Sequence, residues 1–287
     1  MAPLKFCANI SWLFTELPDF SQRMYAAASA GFRAVEAAWL YDSDLQDLQR
    51  AREATGVEVI LINSPPGNIK RGDLGLGAVP GREAEFRQGL DVALKYARAL
   101  DCKSIFYKSL RIHLMAGRVP DGSNRTTVAK EMEAIFVQNL NYAADIFSKV
   151  TAGVGIGHWA ECQEFFSHLD SLWVSTHYPI IKMDRSSGHV QIAQVPGRNE
   201  PDSAGELDYR YLLTTLEKLQ YQGYIGCEYK PLGQCSFCSI DDGTILHWIL
   251  MAFVCFRLHQ RGSGLDQRLQ QTQPVIRNHT TKYSIYL

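Results

Sequence analysis

A formal net charge of −1 over 287 residues leaves no global field to gather nucleic acid or an anionic membrane surface. No basic stripe is visible that could track a phosphate backbone. With 46% hydrophobic and 21% charged residues, the chain has the balance of a folded soluble protein and the length of one large domain.

Leu4–Ile10 reads as a first strand, with Asn9-Ile10-Ser11-Trp12-Leu13-Phe14 at its end. Phe20, Met24 and Ala27–Ala28 recur at helical spacing between Pro18 and Gly31, which stops the helix. Ala34–Trp39 is a second strand. Ser43 is expected to cap a helix that runs to Thr55, and Gly56 to end it. Val57–Asn63 is a third strand, closed by Ser64-Pro65-Pro66-Gly67. Strand and helix alternating at ~30-residue spacing predict a parallel sheet with crossover helices.

Residues 67–81 form a Gly-rich loop that reads as either a mobile lid or a plain surface loop. Its glycines are wrongly spaced for a dinucleotide fingerprint, and Pro80 blocks a helix start there. Glu83–Leu100 is a helix, and Arg111–Pro120 a fourth strand with its loop. Thr126–Lys149 is a long helix with Val128, Met132, Ile135, Phe136, Leu140 and Ala143 on its buried face. From Val150 to Ser187 neither period is clear, and the segment is too short for two βα units of ~30 residues each.

Two later stretches share one plan. His189-Val190-Gln191-Ile192-Ala193-Gln194 alternates and then breaks at Pro196-Gly197-Arg198, so His189, Gln191 and Ala193 share one strand face. Tyr224–Tyr229 is a short strand with Glu228 at its end, stopped by Pro231. Polar side chains at strand C-termini are where β/α-barrels place their chemistry. Beyond Pro231 lies a Gln-, Ser- and His-bearing tail. Its apolar run, Ile245–Phe256, is too short to span a bilayer and could serve as a makeshift last helix.

These stretches resemble strands seven and eight of the hydroxypyruvate isomerase family, a xylose-isomerase-like group of TIM barrels. The resemblance covers Met1 to about Lys149 and Gly188 to Pro231. It departs at Lys103–Leu110, which stands as an insertion, at 150–187 and at 233–287. It therefore implies a TIM (β/α)8-type barrel over residues 1–231, incomplete around strands five and six, followed by a divergent tail at 232–287. The replaced blocks have clean edges, the pattern expected of a variant transcript or gene model in which non-coding sequence replaces exons.

The resemblance also implies an activity: interconversion of hydroxypyruvate and 2-hydroxy-3-oxopropanoate by proton transfer through an enediolate. In the family, Glu on strand five, Asp on strand six, Gln or His on strand seven and Glu on strand eight bind a divalent metal. Such an oxygen-rich set suits Mg²⁺ or Mn²⁺. Carried over residue by residue, Glu228 is a metal ligand and proton-transfer carboxylate, and Gln191 the strand-seven ligand. Arg198 is placed to grip the substrate carboxylate bidentately, and His113 is a candidate substrate contact. Counterparts of the strand-five Glu and strand-six Asp cannot be placed, so the metal site is expected to be incomplete and the chain weakly active or inactive. No organic cofactor is implied. The expected partner is a small-molecule substrate, not nucleic acid or membrane, with a homo-oligomer left open.

Blander readings stand beside these. A lone strand-end Glu such as Glu228 usually has no special role, and only the surrounding pattern singles it out. His189 points into the barrel and reads as a hydrogen-bonded core histidine. Trp12 and Trp39 either wall the pocket or simply pack. Cys235-Ser236-Phe237-Cys238 with His247 and His259 lacks zinc-site spacing. Seven cysteines, an odd number, with no basic-then-apolar leader, predict reduced thiols and a cytoplasmic setting. The rivals are a sugar epimerase on the same barrel, an endonuclease IV-like nuclease, which would need a His-rich zinc mouth and a basic face, and a non-catalytic variant.

Overall fold

The first strand, β1 (Lys5–Asn9), lies inside a sheet rather than at its edge, and the other strands are laid down on either side of it. The computed structural model describes residues 4–102, 111–150 and 189–232. Within them β1 is followed by α1 (Phe20–Ser29), β2 (Ala34–Ala37), α2 (Leu45–Thr55), β3 (Glu58–Asn63) and α3 (Glu83–Ala99). Next come β4 (Ile112–His113), α4 (Arg125–Val150), β5 (His189–Ile192), α5 (Tyr209–Lys218) and β6 (Tyr224–Cys227). All pairings are parallel, in the order β4-β3-β2-β1-β6-β5. Among the described residues β4 and β5 are the edge strands. A closed eight-stranded barrel would carry two further strands between them, the place where the sequence runs short.

The helices cover the outer face. Ala8, Val35, Val59, Ile62 and Cys227 from the strands meet Met24, Ala27, Leu48, Ala51 and Ala97 from α1, α2 and α3 in one buried cluster. Each large aliphatic side chain taken out of water there contributes roughly 1.5–3 kcal/mol. A smaller cluster of Cys7, Ala34, Ile60 and Tyr224 is drawn from four strands and no helix. Alternation along β1 and β2 therefore sends Ala8 and Val35 to the helices, and Cys7, Asn9 and Glu36 to the opposite, concave face.

One expectation needs correction. The cap of α2 is Asp44, not Ser43: its carboxylate accepts from the backbone N–H of Gln46 (2.8 Å) and Asp47 (3.1 Å). Ser43 falls one residue too early for either bond. Gly56 does end that helix, in the left-handed region at φ 69°. The Gly-rich loop is packed onto the barrel. Leu76 and Ala78 are buried against α3 and α4. Gly77 and Ala78 N–H donate to the carbonyls of Met115 and Ala116, and buried Asn139 donates to the Gly77 carbonyl. A Cβ on Gly75 would sit 2.4 Å from Met115, so close passage of the loop over the strand-four segment requires glycine there.

Candidate active site

Parallel pairing sets the register of the concave face. Asn9 lies beside Glu36, Cys7 beside Gly226, and Gly226 beside Gln191. Four strands thus bring Cys7, Asn9, Glu36, Gly226, His189 and Gln191 to one place. The Glu36 carboxylate is its centre. Oε1 accepts from Asn9 Nδ2 and Gln191 Nε2, each at 2.8 Å. Oε2 faces His189 Nε2 at 2.5 Å and accepts from Cys7 Sγ at 3.6 Å.

Glu36 is 1% exposed. Burial pushes its pKa up, but the His189 charge and the hydrogen bonds from His189, Gln191 and Asn9 outweigh burial and hold it below 4.5. The same carboxylate, added to burial, drives the Cys7 thiol well above its ordinary range, so Cys7 stays protonated and donates. The His189 side chain is 12% exposed and set against Glu36 as an ion-pair partner.

The second centre lies just past the strand ends. Glu228 follows β6, and its Oε1 accepts from the Arg198 guanidinium at 2.5 Å. Burial, then repulsion from Glu36, raises the Glu228 pKa, and Arg198 only partly offsets them. Arg198 also stacks over Trp12 at 4.8 Å, and Trp12 leans at 6.3 Å on Trp39, which packs against the main core.

The loop that delivers Arg198 is tied down at several points. The Arg198 N–H donates to the Gln194 carbonyl, its carbonyl accepts from Lys230 N–H, and Asn199 Nδ2 donates to the Lys230 carbonyl. Buried Gln194 donates to the carbonyls of Pro201, Ser203 and Leu207. On the far edge, His113 Nδ1 lies 3.3 Å from Asn63 Oδ1, and burial lowers its pKa, so at neutral pH it is an uncharged imidazole.

The structure therefore brings Glu228 and Arg198 together, and Gln191 to Glu36. His113 stands on β4 against Asn63, within electrostatic reach of Glu36 and His189. Sequence reasoning missed Glu36 and Asn9. The available signal was a lone carboxylate inside an otherwise apolar second strand. The zinc-like cysteines and the acidic residues of 150–187 lie outside the described residues.

Among the described residues one group of three metal-ligating side chains converges, Cys7–Glu36–His189. It mixes a protonated thiol, a carboxylate and an imidazole, and it excludes Glu228. Glu228 has one oxygen on Arg198, and Gln191 has its amide nitrogen on Glu36. This donor set does not suit Mg²⁺ or Mn²⁺, which call for several converging oxygens.

A family model described as a xylose isomerase-like TIM barrel matches residues 24–173. The chain belongs to that family. As a xylose isomerase-like barrel it has relatives along most of its length. A Danio rerio protein named "Putative hydroxypyruvate isomerase" is 53% identical, covering 81% of this chain and 92% of the relative. An Escherichia coli K12 protein named hydroxypyruvate isomerase is 34% identical, covering 79% and 94%. A crystal structure titled AP endonuclease, family 2, from Brucella melitensis is 35% identical, with a TM-score of 0.64, covering 81% of this chain and 95% of that one. The Danio rerio alignment runs over 261 positions yet takes up 81% of 287 residues, so this barrel lacks residues that the relative has. No helix among the described residues is long and apolar enough to cross a membrane.

Proposed function

We propose that this chain is an isomerase of the hydroxypyruvate isomerase type, built to interconvert hydroxypyruvate and 2-hydroxy-3-oxopropanoate. The observation that carries the reading is the Arg198–Glu228 pair at the barrel mouth, in a chain whose relatives bear that name. Arg198 offers a planar fork for a small carboxylate substrate, with Trp12 holding it flat. Glu228, with its pKa raised, is poised as a base.

In the proposed reaction Glu228 takes a proton from C3 of hydroxypyruvate, which leaves an enediolate across C2 and C3. The hydroxyl proton on O3 passes to O2, and the carbon-bound proton is returned to C2. The Gln191 carbonyl oxygen would accept from a substrate hydroxyl, and neutral His113 would donate to the substrate at the far edge. Because the described donors do not suit Mg²⁺ or Mn²⁺, no step of this proposal runs through a cation.

Glu36 is committed to its buried partners, which among the described residues leaves Glu228 as one carboxylate for both the removal and the return of the proton. Weak or absent turnover is therefore part of the proposal. Placement in the reducing cytoplasm is supported by Cys7, Cys102 and Cys227, all free and buried.

The test is interconversion of the two acids by purified chain, with and without Mg²⁺ or Mn²⁺, beside Glu228→Gln. Turnover that Glu228→Gln abolishes supports the assignment. Turnover unchanged in Glu228→Gln overturns it. A folded, monodisperse chain without turnover marks a non-catalytic variant of the family, and epimerisation of a ketose in place of isomerisation would favour the rival on the same barrel.

A further inference from the structure

The Gln191 side chain is not symmetric, and what it meets decides which end it offers. Asn9 Oδ1 accepts from the Ser11 N–H, so Asn9 turns its NH₂ to the fully buried Glu36, whose Oε1 is thereby fixed as an acceptor. Gln191 must therefore turn its NH₂ toward Glu36, as the 2.8 Å contact shows, and its carbonyl Oε1 away. Among the described residues no group hydrogen-bonds that Oε1. Glu36 is itself held from three sides, by Asn9, His189 and Cys7, and the space it occupies over β6 exists because residue 226 is glycine. With both Glu36 oxygens engaged by four side chains, the cluster is a brace rather than a vacant cation site.

We propose that Glu36 is a positioning residue: its carboxylate locks the Gln191 amide so that an oxygen, and not an NH₂, is presented to an electropositive group of the substrate. The inference rests on the reading of Gln191 as a site residue. An amide free to flip would offer donor and acceptor in turn, and half of the encounters would be mismatched. Outer partners that orient a binding side chain are worth about 10–100-fold in affinity or activity when lost.

The primary test needs no turnover. In protein labelled with ¹⁵N-glutamine, the Gln191 amide pair is identified by its loss in Gln191→Ala. The brace predicts that this pair exchanges with solvent far more slowly than exposed glutamines, and that Glu36→Gln removes the protection. Should Glu36→Gln fail to fold, Glu36→Asp keeps the charge but shortens its reach, and loses the same protection. A Gln191 pair that exchanges like an exposed glutamine in the unaltered chain, or that is unchanged in both variants, overturns the brace.

The site reading is tested separately by hydroxypyruvate calorimetry. Gln191→Ala and Glu36→Gln should each weaken binding about 10–100-fold, and the double variant should weaken it no further than either alone. Additive losses would mark Glu36 as merely structural. Binding unmoved by Gln191→Ala would remove Gln191 from the site even if the amide stays locked.

Discussion

The Glu36 carboxylate reaches from β2 across β1 and comes to rest over Gly226 of β6, where a Cβ would stand 2.6 Å from Oε1 and 2.7 Å from Oε2. The glycine is thus a seat for a charge. Gly226→Ala should displace the carboxylate and destabilise the fold by about 1–3 kcal/mol, the usual cost of overpacking. In urea unfolding the midpoint should fall with the slope unchanged. An unchanged midpoint would mean that Glu36 can lie elsewhere at no cost.

Glu36 also sets a pH dependence. Its folded pKa lies below 4.5, so its contribution to stability is complete above that pH and is lost as pH falls through the folded value. Glu36→Gln should be less stable than the parent at pH 7, and the gap should narrow as pH falls from 4.5 through the lower folded value, past which the parent carboxyl is neutral too. His189→Ala, which removes one partner and leaves Asn9, Gln191 and Cys7 on the buried carboxylate, should cost about 1–3 kcal/mol at pH 7. Denaturant midpoints measured from pH 3 to 7 check both.

Glu228 titrates the other way. Burial and Glu36 raise its pKa and Arg198 opposes them, so the basic form is populated only above the ordinary carboxylate range. Any turnover should therefore climb with pH on an acid limb lying above pH 4.5. Removing the guanidinium in Arg198→Ala should move that limb further up in pH, as well as weakening substrate binding. The pH profile of kcat/KM reads the first effect and KM the second. An acid limb that moves down would contradict the Arg198–Glu228 pairing.

The start of α2 gives a local test. Asp44→Ala should cost about 0.5–2 kcal/mol, the usual cost of losing a side-chain cap. Ser43→Ala should stay within about 0.5 kcal/mol of the parent. Thermal or urea unfolding of the pair distinguishes the two residues directly.

The amino-acid order by itself determined the alternation of β1, β2 and β3 with their helices, because helical spacing, Gly56 and the proline stops are local signals. It also marked Gln191, Arg198 and Glu228 as residues at strand ends, and the shortfall between α4 and β5 as the place where the barrel is incomplete. What lies across strands was not legible. Glu36 looked like one charge in an apolar strand. Only parallel register, which sets Asn9 beside Glu36 and Gln191 beside Gly226, shows that the carboxylate serves β1 and β5 at once. Likewise Arg198 and Glu228 stand thirty residues apart, and only tertiary packing gives the guanidinium its partner. Hydrogen bonds between neighbouring strands carry no trace in local sequence, because the partner is chosen by the fold and not by the chain.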